Sequence, residues 1–320
     1  MAAYDIVIRN GQVADGTGKK LFAADVALKG DRIAAVEAPG SLKGDNEIDA
    51  TGKVVAPGFI DVHTHDDTYI IDHPDMAMKA SQGVTTVVCG NCGISASPYS
   101  RSDIPHLLSL SVKKTEHFGK TFAEFAGKVD AVKPAINGAF LIGHSTLRFD
   151  AMNLDVGRKA TDTEIGVMRD KLDQALKEGA IGMSSGLFYP PAMAATTDEV
   201  AEVAKPLGKW GAVYTAHMRD ETDEILKAMD ETFEIGRRAG ARPRAGTGVR
   251  TAARRPPPVS QPRAQPDRFQ SARARRGSGP AQPPARTGER FDPACQLGCR
   301  CRCRSRRTAN GPRPPNATRG

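Results

Sequence analysis

Five short apolar segments between residues 58 and 240 constrain the fold of this chain more than any other feature. Helical patterns lie between them, and each segment has the length of a buried strand. They are Phe59–Val62, Val84–Cys89, Gly138–Gly143, Ala180–Ser184 and Ala212–Ala216. Repeated βα units with nearly continuous apolar strands predict a parallel sheet covered by helices. We therefore predict an α/β fold in which residues 58–240 form a partial (β/α)8 barrel of about five βα units.

Two of the intervening helices carry clear starting signals. Thr161 and Glu164 have the spacing of a capping box, and Thr196 and Glu199 repeat it. Pro206 lies inside the second helical pattern, where a ring that lacks an N–H group should kink or shorten the helix. The pattern therefore predicts one long helix after Thr161 and one interrupted helix after Thr196.

The first 57 residues have a different pattern, with short alternating segments and turns. Gly30 and Asp31 separate the segments Ala24–Lys29 and Arg32–Glu37, which is a typical hairpin signal. We predict a small antiparallel sheet, the N-terminal portion of a β-sandwich, over residues 1–57.

The composition changes abruptly after Gly240. Residues 241–320 contain 19 Arg, no Lys and three acidic residues, so they carry a charge of +16, whereas residues 1–240 carry −8. This segment also holds 13 of the 22 Pro and few large apolar side chains. Such a composition cannot bury enough apolar surface to offset the entropy of ordering, so we expect a disordered basic tail over residues 241–320.

Three explanations of this tail are open: a solvated linker, an arginine-rich nucleic-acid arm, or translation in the wrong reading frame. We favour the third, because a sixth barrel strand is expected where the composition changes, and Arg, Pro, Ala and Gly have GC-rich codons. The absence of Lys in residues 241–320 argues against a natural nucleic-acid arm. No specific nucleic-acid partner is therefore expected.

Apolar runs and cysteines limit the location of the protein. No apolar run approaches the roughly 20 residues of a membrane-spanning helix, and the start of the chain lacks a secretory pattern. Only Cys89 and Cys92 lie in the first 240 residues, which does not indicate a disulfide framework. We expect a cytoplasmic protein without a membrane partner.

Potential metal ligands follow three of the predicted strands. His63 and His65 lie two positions apart after the first barrel strand, so their side chains share one face. Cys92 lies in a glycine-bounded turn after the second strand, and His217 ends the fifth. Strand ends meet at one face of a barrel, and imidazole and thiolate groups suit zinc. The pattern predicts a zinc site.

The other histidines and Cys89 have weaker signals. His144 ends the third barrel strand and fits a group behind the site and a core histidine equally well. Cys89 lies inside an apolar strand, which favours a core role. His73, His106 and His117 have no strand-end context, so we expect them at the surface.

These motifs carry a resemblance when taken in order. The sequence resembles the D-aminoacylase (N-acyl-D-amino-acid deacylase) branch of the amidohydrolase superfamily over residues 1 to about 240. The motif after the first strand is shared by the whole superfamily, and the Asn-Cys-Gly-Ile and His-Met-Arg-Asp-Glu motifs indicate this branch. The matching segments are Pro57–His65, Gly83–Gly93, Gly143–Arg148, Ser184–Pro191 and Thr215–Glu221.

The resemblance implies a zinc enzyme that hydrolyses the amide bond of a small N-acyl-D-amino acid. It implies that His63 and His65 bind the more exposed metal position and that His217 binds the tighter zinc. Cys92 would be a thiolate ligand beside or between these positions.

The resemblance also implies substrate-binding residues. Tyr189 would contact the substrate or its tetrahedral intermediate. Arg219 would pair with a substrate carboxylate, although a structural ion pair with Asp220, Glu221 or a neighbouring helix explains it at least as well.

The family pattern has two further residues, a zinc-binding His after the sixth strand and a catalytic Asp after the eighth. Residues 241–320 contain no His, and neither Asp267 nor Asp292 follows a strand-like segment. The catalytic base is therefore unknown, and we expect this chain to be inactive.

Two other functions compete with this one. Cyclic-amide hydrolases of the dihydroorotase or hydantoinase type share the first motif but lack the surroundings of Cys92. A non-catalytic protein with a nucleic-acid-binding arginine tail is the alternative from a different class.

Overall fold

The computed structural model describes residues 3–241 and contains two sheets. The first sheet has the order β3-β2-β1-β4, and β5 pairs with β1 beyond this path. Its strands are β1 (Tyr4–Val13), β2 (Phe22–Lys29), β3 (Arg32–Glu37), β4 (Gly44–Asp49) and β5 (Val54–Val55). The prediction that the first 57 residues form a small sheet of β-strands is therefore confirmed.

The direction of the strands in this sheet differs from the prediction. The hairpin at Gly30 forms, and Lys29 pairs with Arg32 across it. However, β4 and β5 both run parallel to β1, so the sheet is mixed rather than antiparallel. The sequence did not predict β4 because its residues are mostly polar and exposed, and alternation along one strand carries no information on the direction of its neighbour.

The second sheet consists of five parallel strands in the order β10-β9-β8-β7-β6. They are β6 (Phe59–Asp61), β7 (Val84–Cys89), β8 (Asn137–Gly143), β9 (Gly182–Gly186) and β10 (Val213–His217). Each strand pairs with the next one along the chain, as in a (β/α)8 barrel. The predicted partial barrel of five βα units is confirmed.

The helices lie between and after these strands. They are α1 (Tyr69–Asp72), α2 (Ala77–Ala80), α3 (Phe122–Val132), α4 (His144–Ala151), α5 (Asp162–Lys177), α6 (Pro190–Met193), α7 (Thr197–Ala204), α8 (Pro206–Trp210) and α9 (Ile225–Arg238). Two short 3₁₀ helices span Leu108–Leu110 and Thr115–His117.

The predicted helix signals act as expected. Thr161 and Glu164 form a complete capping box at the start of α5. The Thr196 hydroxyl accepts a hydrogen bond from the Glu199 amide at the start of α7. The interrupted helix divides at Lys205 into α7 and α8, because Pro206 begins a new helix and cannot continue the old one.

The main hydrophobic core lies between the parallel sheet and its helices. Ile142 of β8 and Met183 of β9 are fully buried against Met168 and Leu172 of α5 and Val203 of α7. Burial of each such side chain contributes roughly 1.5–3 kcal/mol before entropy costs. This core packs the strands against their helices, and the segments that carry the potential metal ligands begin at the carboxyl ends of these strands.

None of the helices within residues 3–241 is both long and apolar enough to cross a bilayer. The predicted tail over residues 241–320, including its proposed frame change, lies outside the described residues except for Ala241.

Candidate metal centre

The carboxyl ends of the parallel strands bring the predicted metal ligands together. His63 and His65 follow β6, and Cys92 follows β7, the neighbouring strand. One donor atom from each of these three residues lies within 4.8 Å of the other two. His63 Nε2 is 3.1 Å from Cys92 Sγ, and the two imidazole rings meet edge to face with centroids 5.8 Å apart. The sequence prediction that these three side chains converge agrees with the structure.

The Cys92 turn requires an unusual backbone. Cys92 has φ of +55°, and Gly90 and Gly93 on either side have φ of +79° and +77°. A Cβ atom on Gly90 would lie 2.0 Å from the carbonyl oxygen of Leu141, so only glycine fits there. The left-handed conformation of a non-glycine residue is costly and often marks a functional site. Here it directs the thiol towards His63.

Ser184 of β9 holds this turn from below. Its hydroxyl donates to the carbonyl oxygen of Gly90 and accepts from the Gly93 amide at 2.9 Å. Because Ser184 is fully buried, these two backbone groups would otherwise lack partners in a dry environment. By binding these two backbone groups, the Ser184 hydroxyl helps to hold the turn that positions Cys92.

Burial changes the protonation of the potential ligands. It raises the pKa of the Cys92 thiol to about 11, a shift that the nearby Tyr189 hydroxyl opposes. It lowers the pKa of His65, and neighbouring His63 adds to that effect. The imidazole of His65 is thus in its neutral, ligand-competent form at neutral pH, whereas the thiol needs a cation to become thiolate.

His217 and Tyr189 lie beside the group of three. The Tyr189 hydroxyl is 3.2 Å from His217 Nδ1, and the two rings are 4.7 Å apart. His217 Nε2 is buried, has no hydrogen-bond partner among the described residues, and lies 3.5 Å from Glu221 Oε1. His217 is not part of the group within 4.8 Å, so its role as a fourth ligand stays a prediction.

These residues fit a zinc ion. Two imidazoles and one thiol within 4.8 Å are a typical zinc donor set. The buried Nε2 atom of His217, which lacks a hydrogen-bond partner among the described residues, is a further donor close by. A buried polar atom of this kind is costly unless something binds it.

Lys79 stabilises the segment that carries His63 and His65. Its ammonium group lies 2.6 Å from Asp61 Oδ2 and 3.1 Å from Asp66 Oδ2, so it bridges both ends of the segment. No sequence motif marks Lys79, because it lies on α2, apart from the strand ends.

The Arg219 side chain contacts other residues of the protein. Its guanidinium pairs with Glu231 of α9 at 2.8 Å and donates to the carbonyl oxygens of Met193 and Ala195 at 2.9 Å each. These contacts favour the structural alternative, with a partner on the neighbouring helix rather than Asp220 or Glu221. A substrate-binding role of Arg219 stays a prediction.

His144 lies at the start of α4 and is fully buried. Its Nε2 atom is 3.5 Å from Glu199, whose carboxylate also forms a close ion pair with the buried Arg148. Burial lowers the pKa of His144, so its ring is neutral. These contacts place His144 in a buried polar cluster between α4 and α7.

The remaining assignments are mostly confirmed. Cys89 is buried in β7, and His73 and His106 are exposed as predicted. The prediction for His117 is wrong. This residue is only 7% exposed and lies 3.5 Å from Asp72, because a 3₁₀ helix folds it against α1.

The parallel half-barrel and the grouping of His63, His65 and Cys92 indicate the class of protein to which the chain belongs. The sequence signature described as "Amidohydrolase family" matches residues 46–254, so the chain belongs to the amidohydrolase family.

Within this family, the chain is similar to the N-acyl-D-amino-acid deacylases. It is 46% identical over 234 residues to a D-aminoacylase of Alcaligenes xylosoxydans xylosoxydans. The aligned residues make up 73% of this chain and 48% of the relative. The crystal structure of a D-aminoacylase superimposes with a TM-score of 0.71 at 47% identity, over 74% of this chain and 50% of that one.

A second solved structure is an N-acyl-D-glutamate deacylase from Bordetella bronchiseptica, complexed with zinc and a phosphonate inhibitor that mimics the tetrahedral intermediate. It superimposes with a TM-score of 0.70 at 39% identity, over 74% of this chain and 50% of that one. The chain therefore spans about half the length of these relatives.

Proposed function

We propose that residues 58–240 carry the zinc-binding part of an active site that hydrolyses N-acyl-D-amino acids. The convergence of His63, His65 and Cys92 at the ends of neighbouring parallel strands supports this proposal most strongly. The similarity of the chain to D-aminoacylase supports the choice of substrate class.

The side chains divide the work as follows. His63 and His65 would hold the metal through their imidazole nitrogens, and Cys92 would hold it through its sulfur after loss of the thiol proton. The Nε2 atom of His217, which has no hydrogen-bond partner among the described residues, would be a further donor. Zinc, when bound, polarises the amide carbonyl and lowers the pKa of a water molecule towards about 7.

Tyr189 orients the reacting group. Its hydroxyl is 3.2 Å from His217 Nδ1 and near enough to the Cys92 thiol to lower the pKa of that thiol. A phenol O–H at this place can donate a hydrogen bond to an oxygen that becomes negative during amide hydrolysis. We propose that it stabilises the developing oxyanion of the acyl group.

The proposed domains are those predicted above: a β-sandwich portion over residues 1–57 and an incomplete barrel over residues 58–240. A reducing, cytoplasmic location is proposed because Cys89 and Cys92 are both free thiols. The absence of a specific nucleic-acid partner stays a prediction, since it concerns residues 241–320.

Metal content tests the site directly. The purified chain should bind zinc, and its cobalt form should show a thiolate-to-metal charge-transfer band. Cys92→Ser should abolish this band and weaken zinc binding by about 10-fold or more. Cys89→Ala is the matched control, because Cys89 lies in the core of β7, and it should leave both readouts unchanged. A wild-type chain without stoichiometric zinc would overturn the proposed site.

Release of free amino acid tests the reaction. N-acetyl-D-amino acids with acidic and apolar side chains are the substrates, and their L-enantiomers are the control. The expected result for the 320-residue chain is zinc binding without turnover, since the sequence predicts no catalytic base. D-selective, zinc-dependent turnover would contradict the predicted inactivity and support the proposed substrate class. Zinc-dependent turnover of the L-enantiomers alone would refute that class.

A further inference from the structure

Arg219 binds two separate parts of the protein with one guanidinium group. Its Nε and Nη2 atoms each lie 2.8 Å from an oxygen of the Glu231 carboxylate on α9. Its Nη1 and Nη2 atoms also donate to the carbonyl oxygens of Met193 and Ala195, at 2.9 Å each. Arg219 therefore uses most of its N–H groups in contacts within the protein.

The Glu231 carboxylate has a further partner, which holds it in place. The Thr197 hydroxyl, at the start of α7, donates to Glu231 Oε1 at 2.9 Å. The side chains of Glu231 and Arg219 are 14% and 32% exposed, so water competes only partly for their contacts. A two-point contact between a guanidinium and a carboxylate fixes the orientation of both groups. The Arg219 side chain is thus fixed relative to α7 and α9.

The two carbonyl groups that Arg219 binds lie at the end of α6, the short helix that follows Tyr189. Carbonyl groups at the end of a helix lack partners within that helix, and the guanidinium supplies them. The Tyr189 carbonyl oxygen accepts hydrogen bonds from the amides of Ala192 and Met193, at 2.9 Å each. Because α6 is a single turn closed by these bonds, a displacement of Met193 is transmitted to Tyr189.

The carboxyl end of β10 therefore contacts both ends of the segment 187–195. At the first end, the Leu187 amide donates to the His217 carbonyl oxygen at 3.1 Å, and the Tyr189 hydroxyl lies 3.2 Å from His217 Nδ1. At the other end, Arg219, two positions after His217, binds the last carbonyl groups. The position of Tyr189 relative to His217 thus depends on Arg219.

We propose that Arg219 is a positioning residue for Tyr189 and that, with Glu231, it holds α6 so that the phenol stays beside His217. The inference rests on the proposed role of Tyr189 in amide hydrolysis, but the position of the ring is a property of the chain without metal or substrate. It gives Arg219 a role at the site through the backbone of α6, and no contact with the substrate is needed.

The position of Tyr189 can be measured without metal, substrate or activity. The 320-residue chain is labelled with 3-fluorotyrosine, and its five Tyr give five ¹⁹F signals. The Tyr189 signal is assigned by its loss in Tyr189→Phe. In the folded wild-type chain this signal should be displaced from its unfolded position, because the ring centroids of His217 and Phe188 lie 4.7 and 5.8 Å away.

Arg219→Met removes the guanidinium and keeps a side chain of apolar length. The Tyr189 signal should move towards its unfolded position and should be broadened more strongly by a dissolved gadolinium chelate. The variant should retain α6, because the Arg148 guanidinium still donates to the Pro191 carbonyl oxygen at 2.8 Å. An unchanged Tyr189 signal would overturn the proposal, and it is the result expected if Arg219 serves only to pair with a substrate carboxylate.

Arg238→Met is the matched control. The Arg238 side chain is 31% exposed, compared with 32% for Arg219, and it pairs with Asp198 and Glu202 of α7 rather than with α6. This variant should leave the Tyr189 signal unchanged. An equal change in both variants would show a general effect of the lost ion pairs and would refute a specific role of Arg219.

Arg219→Lys keeps the positive charge and decides the question if Arg219→Met does not fold, which would move all five signals. An ammonium group can pair with Glu231 but lacks the planar fork that also reaches two carbonyl groups. The Tyr189 signal should therefore still move in Arg219→Lys, while the other four stay in place. A Tyr189 signal at its wild-type position would refute the role of the guanidinium.

The outcomes separate this inference from the proposed function. If the wild-type chain does not bind zinc, the proposed function fails, and the ¹⁹F spectra still decide the role of Arg219. If the chain binds zinc but the Tyr189 signal does not respond to the Arg219 variants, the zinc site stands and the role of Arg219 is refuted.

Discussion

At the residue scale, single buried side chains hold in place the segments that follow the strands. Arg148 is fully buried and donates to the carbonyl oxygens of Val156, Arg158 and Pro191 while it pairs with Glu199. Pro191 follows Tyr189 by two positions, so this guanidinium links the proposed substrate-binding segment to α4 and α7. The loss of one partner in a buried ion pair is costly, because it leaves the other charge without compensation.

The stability that the Arg148–Glu199 ion pair contributes can be measured, because it depends on the ionisation of Glu199 and therefore on pH. Burial raises the pKa of Glu199, but the contact with His144 and the charge of Arg148 outweigh that effect and lower the pKa to about 2. We attribute the net lowering mainly to Arg148, since burial keeps His144 neutral. A carboxylate with a lowered pKa stabilises the fold above its unfolded pKa of about 4.3, and this contribution is lost as the pH falls towards 2.

Glu199→Gln should therefore reduce the free energy of unfolding at pH 7 by on the order of 3 kcal/mol. The deficit relative to wild type should shrink below about pH 4.5, since Glu199 of the unfolded wild-type chain then takes up a proton that the folded chain does not bind until about pH 2. Urea unfolding at a series of pH values measures both effects. Glu202→Gln on the same helix is the control, because Glu202 is partly exposed and pairs only with surface groups. A deficit that does not change with pH would contradict the assignment.

At the element scale, the residues at the ends of each strand and helix determine where that element begins and stops. The glycines around Cys92 allow β7 to turn sharply, and Pro206 divides one helical pattern into α7 and α8. The start of α5 is defined by hydrogen bonds in both directions between Thr161 and Glu164. Such local signals act over three or four residues, so each can be altered without a change in the packing of the core.

Thr161→Ala removes half of the capping box. The Glu164 amide, which lies 3.3 Å from the Thr161 hydroxyl, would lose its partner. We expect a loss of about 1 kcal/mol in the free energy of unfolding, within the usual range of 0.5–2. Thr163→Ala inside the same first turn should change it by less than about 0.5 kcal/mol in either direction. Equal effects of the two variants in chemical denaturation would argue against the cap as the cause.

At the scale of the whole molecule, exposed apolar surface distinguishes the described residues 3–241 from a closed barrel. In the described part of the chain, β6 and β10 form the edges of the parallel sheet. Phe59, Ile60 and Val62, in and directly after β6, are 64%, 56% and 43% exposed. Open apolar edges of this kind tend to pair with other chains. The chain also spans only about half the length of its relatives, in which more chain accompanies this part of the fold.

A charge on the β6 edge should reduce self-association. Ile60→Lys places a positive charge on an edge strand, where pairing between chains would bury it. Size-exclusion chromatography with light scattering should show a smaller share of protein above the monomer mass. Val167→Lys is the control, because Val167 is 40% exposed on α5, away from the sheet edges. An unchanged mass distribution for Ile60→Lys, or the same decrease for both variants, would exclude the β6 edge as the association surface.

The sequence by itself determined the parts of this protein that depend on local chemistry. Alternation of apolar strands with capped helices predicts the five parallel strands, because periodicity and end signals act over a few residues. His63, His65 and Cys92 could be assigned together because strand ends of parallel βα units meet at one face. The capping at Thr161 and the break at Pro206 follow from side-chain chemistry in the same way.

Only the tertiary structure decided which distant groups meet. Ser111 reaches His65 across 46 residues, Arg219 pairs with Glu231, and the 3₁₀ helix buries His117 beside Asp72. Nothing in the local sequence marks these partners, since each depends on the path of a loop or on the packing of a separate helix. The parallel pairing of β4 with β1 is of the same kind. Residue types at the strand ends therefore define the candidate metal centre, and long-range packing defines the hydrogen bonds and ion pairs that hold it.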